Sequence, residues 1–197
     1  MLKKLSVLAL CAVSSFAMHN AEININDTDL EVAFSFDMGQ FNDVIEPETM
    51  FLGAKFLNGD ESNADPRHVN IDPFYEVNFL SMHTIGNQGM SLGMGVKFEY
   101  TQTQTQNFSA LPLGLEAAYK MPFRDLVPMR LHGAIYFAPK SLAFSDADNY
   151  LEYRIDYNAE IIPHGNIVVG YRHIETNYEV ADLTYNSSIY FGFKIGF

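Results

Sequence analysis

Ser187-Ser188-Ile189-Tyr190-Phe191-Gly192-Phe193-Lys194-Ile195-Gly196-Phe197 closes the chain. Ile189, Phe191, Phe193, Ile195 and Phe197 share one face at a period of two. Ser188, Tyr190, Gly192, Lys194 and Gly196 share the other. A half-buried soluble strand has the same period. Here the apolar face is dense in aromatics, the opposite face sets a lysine among glycines, and the chain stops on phenylalanine. The stretch reads as the closing strand of a transmembrane β-barrel, with lipid outside and a polar lumen inside. Tyr190, Phe191, Phe193, Ile195 and Phe197 form its insertion signal.

Working back from this strand, the same alternation recurs over 30–39, 50–57, 75–79, 90–101, 111–121, 130–137, 151–161 and 167–172, with a short piece at 22–26. Barrel walls of this kind use segments of about ten residues. Pro112 belongs near a strand end or at a bulge. Facing is ambiguous for 50–57. The reading is an all-β, small antiparallel barrel of about ten strands, with eight as the alternative. The ten-strand form needs residues 22–26 in the wall. Long connections at 58–72, 102–109, 139–149 and 176–186 alternate with shorter ones at 84–89, 122–128 and 162–165. This places the long loops at one end, the expected exterior.

The beginning of the chain is different. Lys3 and Lys4, the apolar run Leu5 to Val13 and the small-residue site Ser15-Phe16-Ala17 form a secretory signal. The expected division is a signal peptide over 1–17 and the barrel over 18–197. The run is too short to span a bilayer. Cys11 is the single cysteine and leaves with the signal, so no disulfide is expected in an oxidising compartment. Of 197 residues, 12 are basic and 24 acidic; losing Lys3 and Lys4 takes the net charge from −12 to −14. Such a surface disfavours nucleic acid as a partner. A mean hydropathy of −0.04 conceals the alternation.

The inward positions hold Glu76, Lys97, Glu99, Glu116, Lys120, Arg130, His132, Glu152, Arg154, Asp156, Glu160, Arg172 and Lys194. In a narrow barrel side chains nearly fill the interior, and buried charges must be paired. A lumen charge network is therefore expected, with a narrow conduction path or ligand pocket as the rival. His132 with Glu152 or Asp156 resembles a base and its orienter, but no serine motif accompanies it. The six histidines show no metal-ligand spacing. Residues 145–149 carry part of a calcium-loop pattern without its glycine and distal glutamate, and read as a solvated loop. Met90, Met94, Met121 and Met129 read as lipid contact.

Tyr136-Phe137-Ala138-Pro139, the run from Leu142 to Glu152 and Gly170-Tyr171-Arg172 closely resemble the YfaZ family of Gram-negative outer-membrane proteins. The match is best over 130–197; the acidic loop at 58–72 is a departure. The resemblance implies a signal peptide and an outer-membrane barrel, and no reaction. The expected role is structural or loop-mediated interaction in the envelope. The alternatives are a narrow pore for small solutes or ions, and a lipid-modifying enzyme. No enzymatic activity, cofactor or metal is expected. The expected partners are outer-membrane lipid and, during insertion, the barrel-assembly machinery, with the chain a monomer.

Overall fold

The computed structural model describes residues 19–59, 73–86, 89–102, 107–122, 127–178 and 182–197. The signal at 1–17 and most of the acidic loop, 60–72, lie outside them. The described chain is almost entirely antiparallel sheet. Its segments are β1 (Asn20–Ile25), β2 (Leu30–Asp37), β3 (Met50–Asn58), β4 (Phe74–Ile85), β5 (Met90–Gln102), β6 (Asn107–Ala110), β7 (Leu113–Lys120), β8 (Met129–Ala138), β9 (Ala143–Ser145), β10 (Ala147–Ile162), β11 (Gly165–Tyr178) and β12 (Asp182–Gly196).

The sheet closes on itself. Each stave pairs with the next, β5 passing to β7 and β8 to β10, and β12 returns to β1 in the register Asn20↔Gly196 to Ile25↔Phe191. The ring has ten staves, so the short piece at 22–26 is in the wall. Two reciprocal bonds between His19 and Phe197 extend the seam: His19 N donates to Phe197 O at 3.0 Å, and Phe197 N to His19 O at 2.9 Å. Stacking of His19 on Phe41, with centroids 5.3 Å apart, fixes this end of the chain. An even ring puts the start of β1 and the end of β12, the termini of the barrel, at one end. At that termini end β2 leads to β3, β4 to β5, β7 to β8 and β10 to β11.

Among the described residues, three of the expected loops are largely strand. β5 runs to Gln102 and β6 resumes at Asn107. β9 and β10 occupy most of 139–149. β11 runs to Tyr178 and β12 begins at Asp182. The sheet therefore continues past the apolar part of the wall, where alternation gives way to Ser, Thr, Asn and Asp on the outward side and the sequence loses its strand signature. The loop reading of 145–149 is corrected with it: Ser145 ends β9, Asp146 is a turn, and 147–149 begin β10. Pro112 falls between β6 and β7, where it interrupts a single stave without costing a ladder bond within either piece.

Which side faces what is inverted relative to a soluble protein. Every stave contributes an exposed apolar outward residue: Ile23, Phe34, Leu52, Val77, Met94, Leu115, Ile135, Ile155, Val169 and Phe191, reaching 70% exposure at Met94 and 59% at Phe191. The inward residues between them include buried Glu31, Lys55, Glu76, Lys97, Glu99, Glu152, Asp156 and Arg172. The ambiguous facing of 50–57 resolves with Leu52 outward and Lys55 inward. Water would not leave that apolar girdle bare, whereas hydrocarbon needs no further cover. The chain is a small transmembrane β-barrel.

Phe191 tests the lipid-facing wall. Phe191→Arg should cost about 2–4 kcal/mol near the midplane of the bilayer, read as a shift in urea midpoint for folding into lipid vesicles. A change under about 0.5 kcal/mol, the usual limit for a water-facing position, would contradict the assignment.

Candidate functional site

The lumen is the candidate site, and it is built in layers. At the end away from the termini, Phe74, Phe108, Tyr150 and Tyr185 form an aromatic cap. Ring centroids lie 5.4 Å apart for Phe108 and Tyr150, 5.5 Å for Phe108 and Tyr185, and 5.8 Å for Phe74 and Tyr185. Leu57, Ile174 and Leu183 pack around the rings. Phe74 and Tyr150 are inward because they stand two residues before Glu76 and Glu152 on the same strands. Phe108 and Tyr185 lie within segments expected as loops, and the structure brings all four rings together to close the lumen.

Below the cap lies the first charged layer. Lys55 contacts Glu76, its cross-strand neighbour, and reaches Glu152 at 3.2 Å. Lys97 reaches Glu152 at 2.5 Å and Glu76 at 3.2 Å. Tyr150 donates to Glu152 at 3.2 Å. Lys55 stands on β3 and Glu152 on β10, five staves apart in a ring of ten, so this ion pair crosses the lumen along a diameter. Glu76 and Glu99 are direct cross-strand neighbours, a like-charge placement that destabilises unless cations offset it. Carboxylate oxygens of Glu76, Glu99 and Glu152 lie within 4.8 Å of one another, close enough to surround a cation. The ammonium of Lys97 already takes that place, 3.2, 3.9 and 2.5 Å from the three. Glu99 is fully buried, and neither of its oxygens receives a hydrogen bond.

A second layer centres on Glu31. Its Oε2 receives Arg154 at 2.5 Å and Arg172 at 2.6 Å, and its Oε1 receives Asn24 at 2.7 Å. Arg172, 1% exposed, also donates to Asn186 at 3.0 Å and lies 3.5 Å from Asp29. Asn186 and Ser188 donate to the same Asp29 at 2.7 and 2.9 Å, tying the β1–β2 turn to β12. Tyr190 extends between the guanidinium groups, 5.3 Å from each. It fits because Gly170 faces it: a Cβ there would overlap the phenol. Gly95 and Gly114 make room for Tyr136 in the same way. These three glycines are seats for tyrosines from nearby staves, while Gly53 and Gly192 face Asn78 and Asn24.

A third layer sets His132 between two carboxylates. Nδ1 lies 2.7 Å from Asp156 and Nε2 lies 3.0 Å from Glu116. Tyr136 donates to Glu116 at 2.6 Å, and Asn158 to Asp156 at 2.5 Å. Of the two partners weighed for His132, the structure brings Asp156 and not Glu152, and adds Glu116. Both ring nitrogens are engaged by carboxylates, so the ring bridges β7, β8 and β10.

Lys120, Arg130, Glu160 and Lys194 lie at the termini mouth, outside these layers. Lys120 and Arg130 are exposed; Lys194 lies 3.5 Å from Glu22; Glu160 accepts the His164 amide at 3.1 Å. Sequence reasoning missed Asp29, Glu31 and Lys55. For Glu31 the signal was present, since it opposes Leu30 and Val32. For Lys55 the facing was undecided.

No curated protein matches the chain. Among solved structures, it is similar to the outer membrane channel DcaP of Acinetobacter baumannii, at 7% identity and a TM-score of 0.42. The likeness covers 89% of this chain and 54% of that one, so the chain spans about half the channel's length. A structure from a study of in-meso crystallization of membrane proteins is similar at 11% identity and a TM-score of 0.36, over 91% of this chain and 83% of that one. The family model described as YfaZ precursor matches residues 2–197.

Arg172 is the variant that tests the second layer. Arg172→Met strands Glu31 beside fewer cations and should cost about 3–5 kcal/mol. Adding Glu31→Gln should restore part of that loss, giving a coupling above about 0.5 kcal/mol in a double-mutant cycle on the denaturant midpoint in micelles. Strict additivity would mean that the pair does not interact.

Proposed function

The chain belongs to the YfaZ family, and on that premise we propose that it is an outer-membrane barrel whose lumen does not conduct. Its role is to contribute a closed wall and an exposed loop surface to the envelope. The observation that carries this reading is the ion pair from Lys55 to Glu152 across the full width of the ring. Opening a path requires separating buried charges from their partners, at several kcal/mol each. The aromatic cap adds a second seal at one end, so a passing ion would meet both an apolar and a charged barrier.

On this reading the termini face the periplasm and the β9–β10 turn projects outward with the other far-end connections. Lys140 pairs with Asp148 there at the surface. Contacts with other envelope components fall to these segments, since the wall is occupied by lipid and the lumen by its own side chains. Membrane lipid and, during insertion, the assembly machinery are the partners this reading calls for, and a monomer suffices for it. The narrow-pore alternative predicts a continuous wet path along the lumen, which the layered packing opposes.

Planar-bilayer recording decides between the two. The folded protein, identified by heat-modifiable migration on gels, should insert without steady single-channel steps. Reproducible unitary conductance would overturn the sealed reading.

A further inference from the structure

On the outer wall, β11 sets His173 directly opposite Ser187 of β12, and β10 sets Tyr153 directly opposite His173. Tyr153 stacks on the imidazole with centroids 4.8 Å apart. Glu175 holds His173 Nε2 at 3.0 Å. That leaves Nδ1, which is buried and has no hydrogen-bond partner. Ser187 is exposed, and its hydroxyl lies 2.9 Å from that of Tyr171. Opposed residues have Cβ atoms about 4.5–5.5 Å apart, so Ser187 and the imidazole are neighbours across the ladder, and proton transfer between them requires Ser187 to turn about χ1 from Tyr171 toward Nδ1. A serine, an oriented histidine and a carboxylate are the parts of a hydrolytic site, recognised by their roles and not by chain order.

Position points to the substrate. Along β12 the outward residues Ile195, Phe193, Phe191 and Ile189 are apolar; Ser187 is the first that is not, and Thr184 and Asp182 follow. β11 makes the same change, from Ile167, Val169 and Tyr171 to His173 and Glu175. The cluster therefore sits at the rim of the apolar band, where the acyl esters of a membrane lipid lie. β1 covers β12 only from Phe191 onward, so among the described residues no strand shields Ser187 on that side.

We propose that Ser187, His173 and Glu175 form an esterase site on the lipid-facing wall, acting on the acyl esters of membrane lipids. Ser187 Oγ attacks the acyl carbonyl carbon while its proton passes to His173 Nδ1. The Tyr171 hydroxyl donates to the developing oxyanion. The carbon–oxygen bond to the lipid alcohol breaks, and His173 returns the proton to the departing alkoxide. Water then attacks the acyl-serine by the same route, releasing a fatty acid and restoring Ser187. Glu175 is a positioning residue that holds the ring. This activity is independent of the sealed lumen.

The test uses the full-length protein in vesicles. A fluorophosphonate probe should form an adduct that peptide mapping places on Ser187, and Ser187→Ala should abolish it. Vesicles of glycerophospholipid alone, and vesicles containing lipid A, should identify the ester source by the fatty acid released. His173→Gln should lower that release by roughly 10²–10⁴-fold. Glu175→Gln should move the pH profile of the rate, which a structural role would leave in place. Because Ser187 is exposed and outside the lumen, unchanged heat-modifiable migration of Ser187→Ala shows that the barrel still forms. No adduct at Ser187, no release from either lipid, or release that survives Ser187→Ala overturns the proposal, and none of these outcomes bears on conductance.

Discussion

The ion pair between Lys55 and Glu152 spans the lumen from one wall to the other, and much of the interior is arranged to keep it affordable. A buried ammonium and carboxylate lose their hydration, and their attraction offsets that loss only when other hydrogen bonds satisfy the remaining atoms. Glu152 therefore also receives Lys97 and Tyr150, and Lys55 also contacts Glu76. The next layer repeats the scheme with the charges exchanged, one carboxylate of Glu31 serving two guanidinium groups. A ring of ten staves is wide enough to admit these side chains. It is also narrow enough that chains from opposite walls meet.

The same constraint accounts for the glycines and tyrosines. Long charged side chains do not fill a cylinder, because their heads converge and leave volume beside their stems. Tyr136 and Tyr190 occupy that volume, and each needs a facing wall without a Cβ, supplied by Gly95, Gly114 and Gly170. Their rings also meet the cations they lie beside: Lys97 is 4.0 Å from the Tyr136 centroid. Packing and electrostatics in this lumen are thus one arrangement, in which the phenol fills space, shields charge and, through Tyr136, donates to Glu116.

What was legible in the sequence follows from which side of the wall carries the signal. The outward side repeats one chemistry at a period of two, so the staves, their inward charges and the closing strand could be read from Ile189 to Phe197 and backward. Partnership on the inward side could not. Lys55 and Glu152 are 97 residues apart, about half the chain, and meet only because the sheet closes, and nothing local distinguishes Asp156 from Glu152 as the neighbour of His132. The aromatic cap was not legible for a related reason: Phe108 and Tyr150 near strand ends look the same whether they face lipid or lumen, and for Tyr150 only its phase relative to Glu152 separates the two. The far-end extensions were hidden because the period-two pattern survives on the inward side alone, at Tyr150, Ile174, Thr176 and Tyr178, while the outward residues turn polar.

That loss of outward apolarity is itself informative about where the wall leaves the hydrocarbon. β10, β11 and β12 run on beyond the point where β1 and β2 turn at residues 26–29, so the barrel is tall on one side and low on the other. On the low side the turn is latched to β12 by Asp29, which gathers Asn186, Ser188 and Arg172. The latch engages the inward face of β12 and leaves its outward face, with Ser187, open to the membrane rim. One strand thus divides the two chemistries of the molecule. Its inward side chains help to close the lumen, and its outward side chains meet lipid first as hydrocarbon contact and then, one residue past the apolar run, as a hydroxyl beside an imidazole.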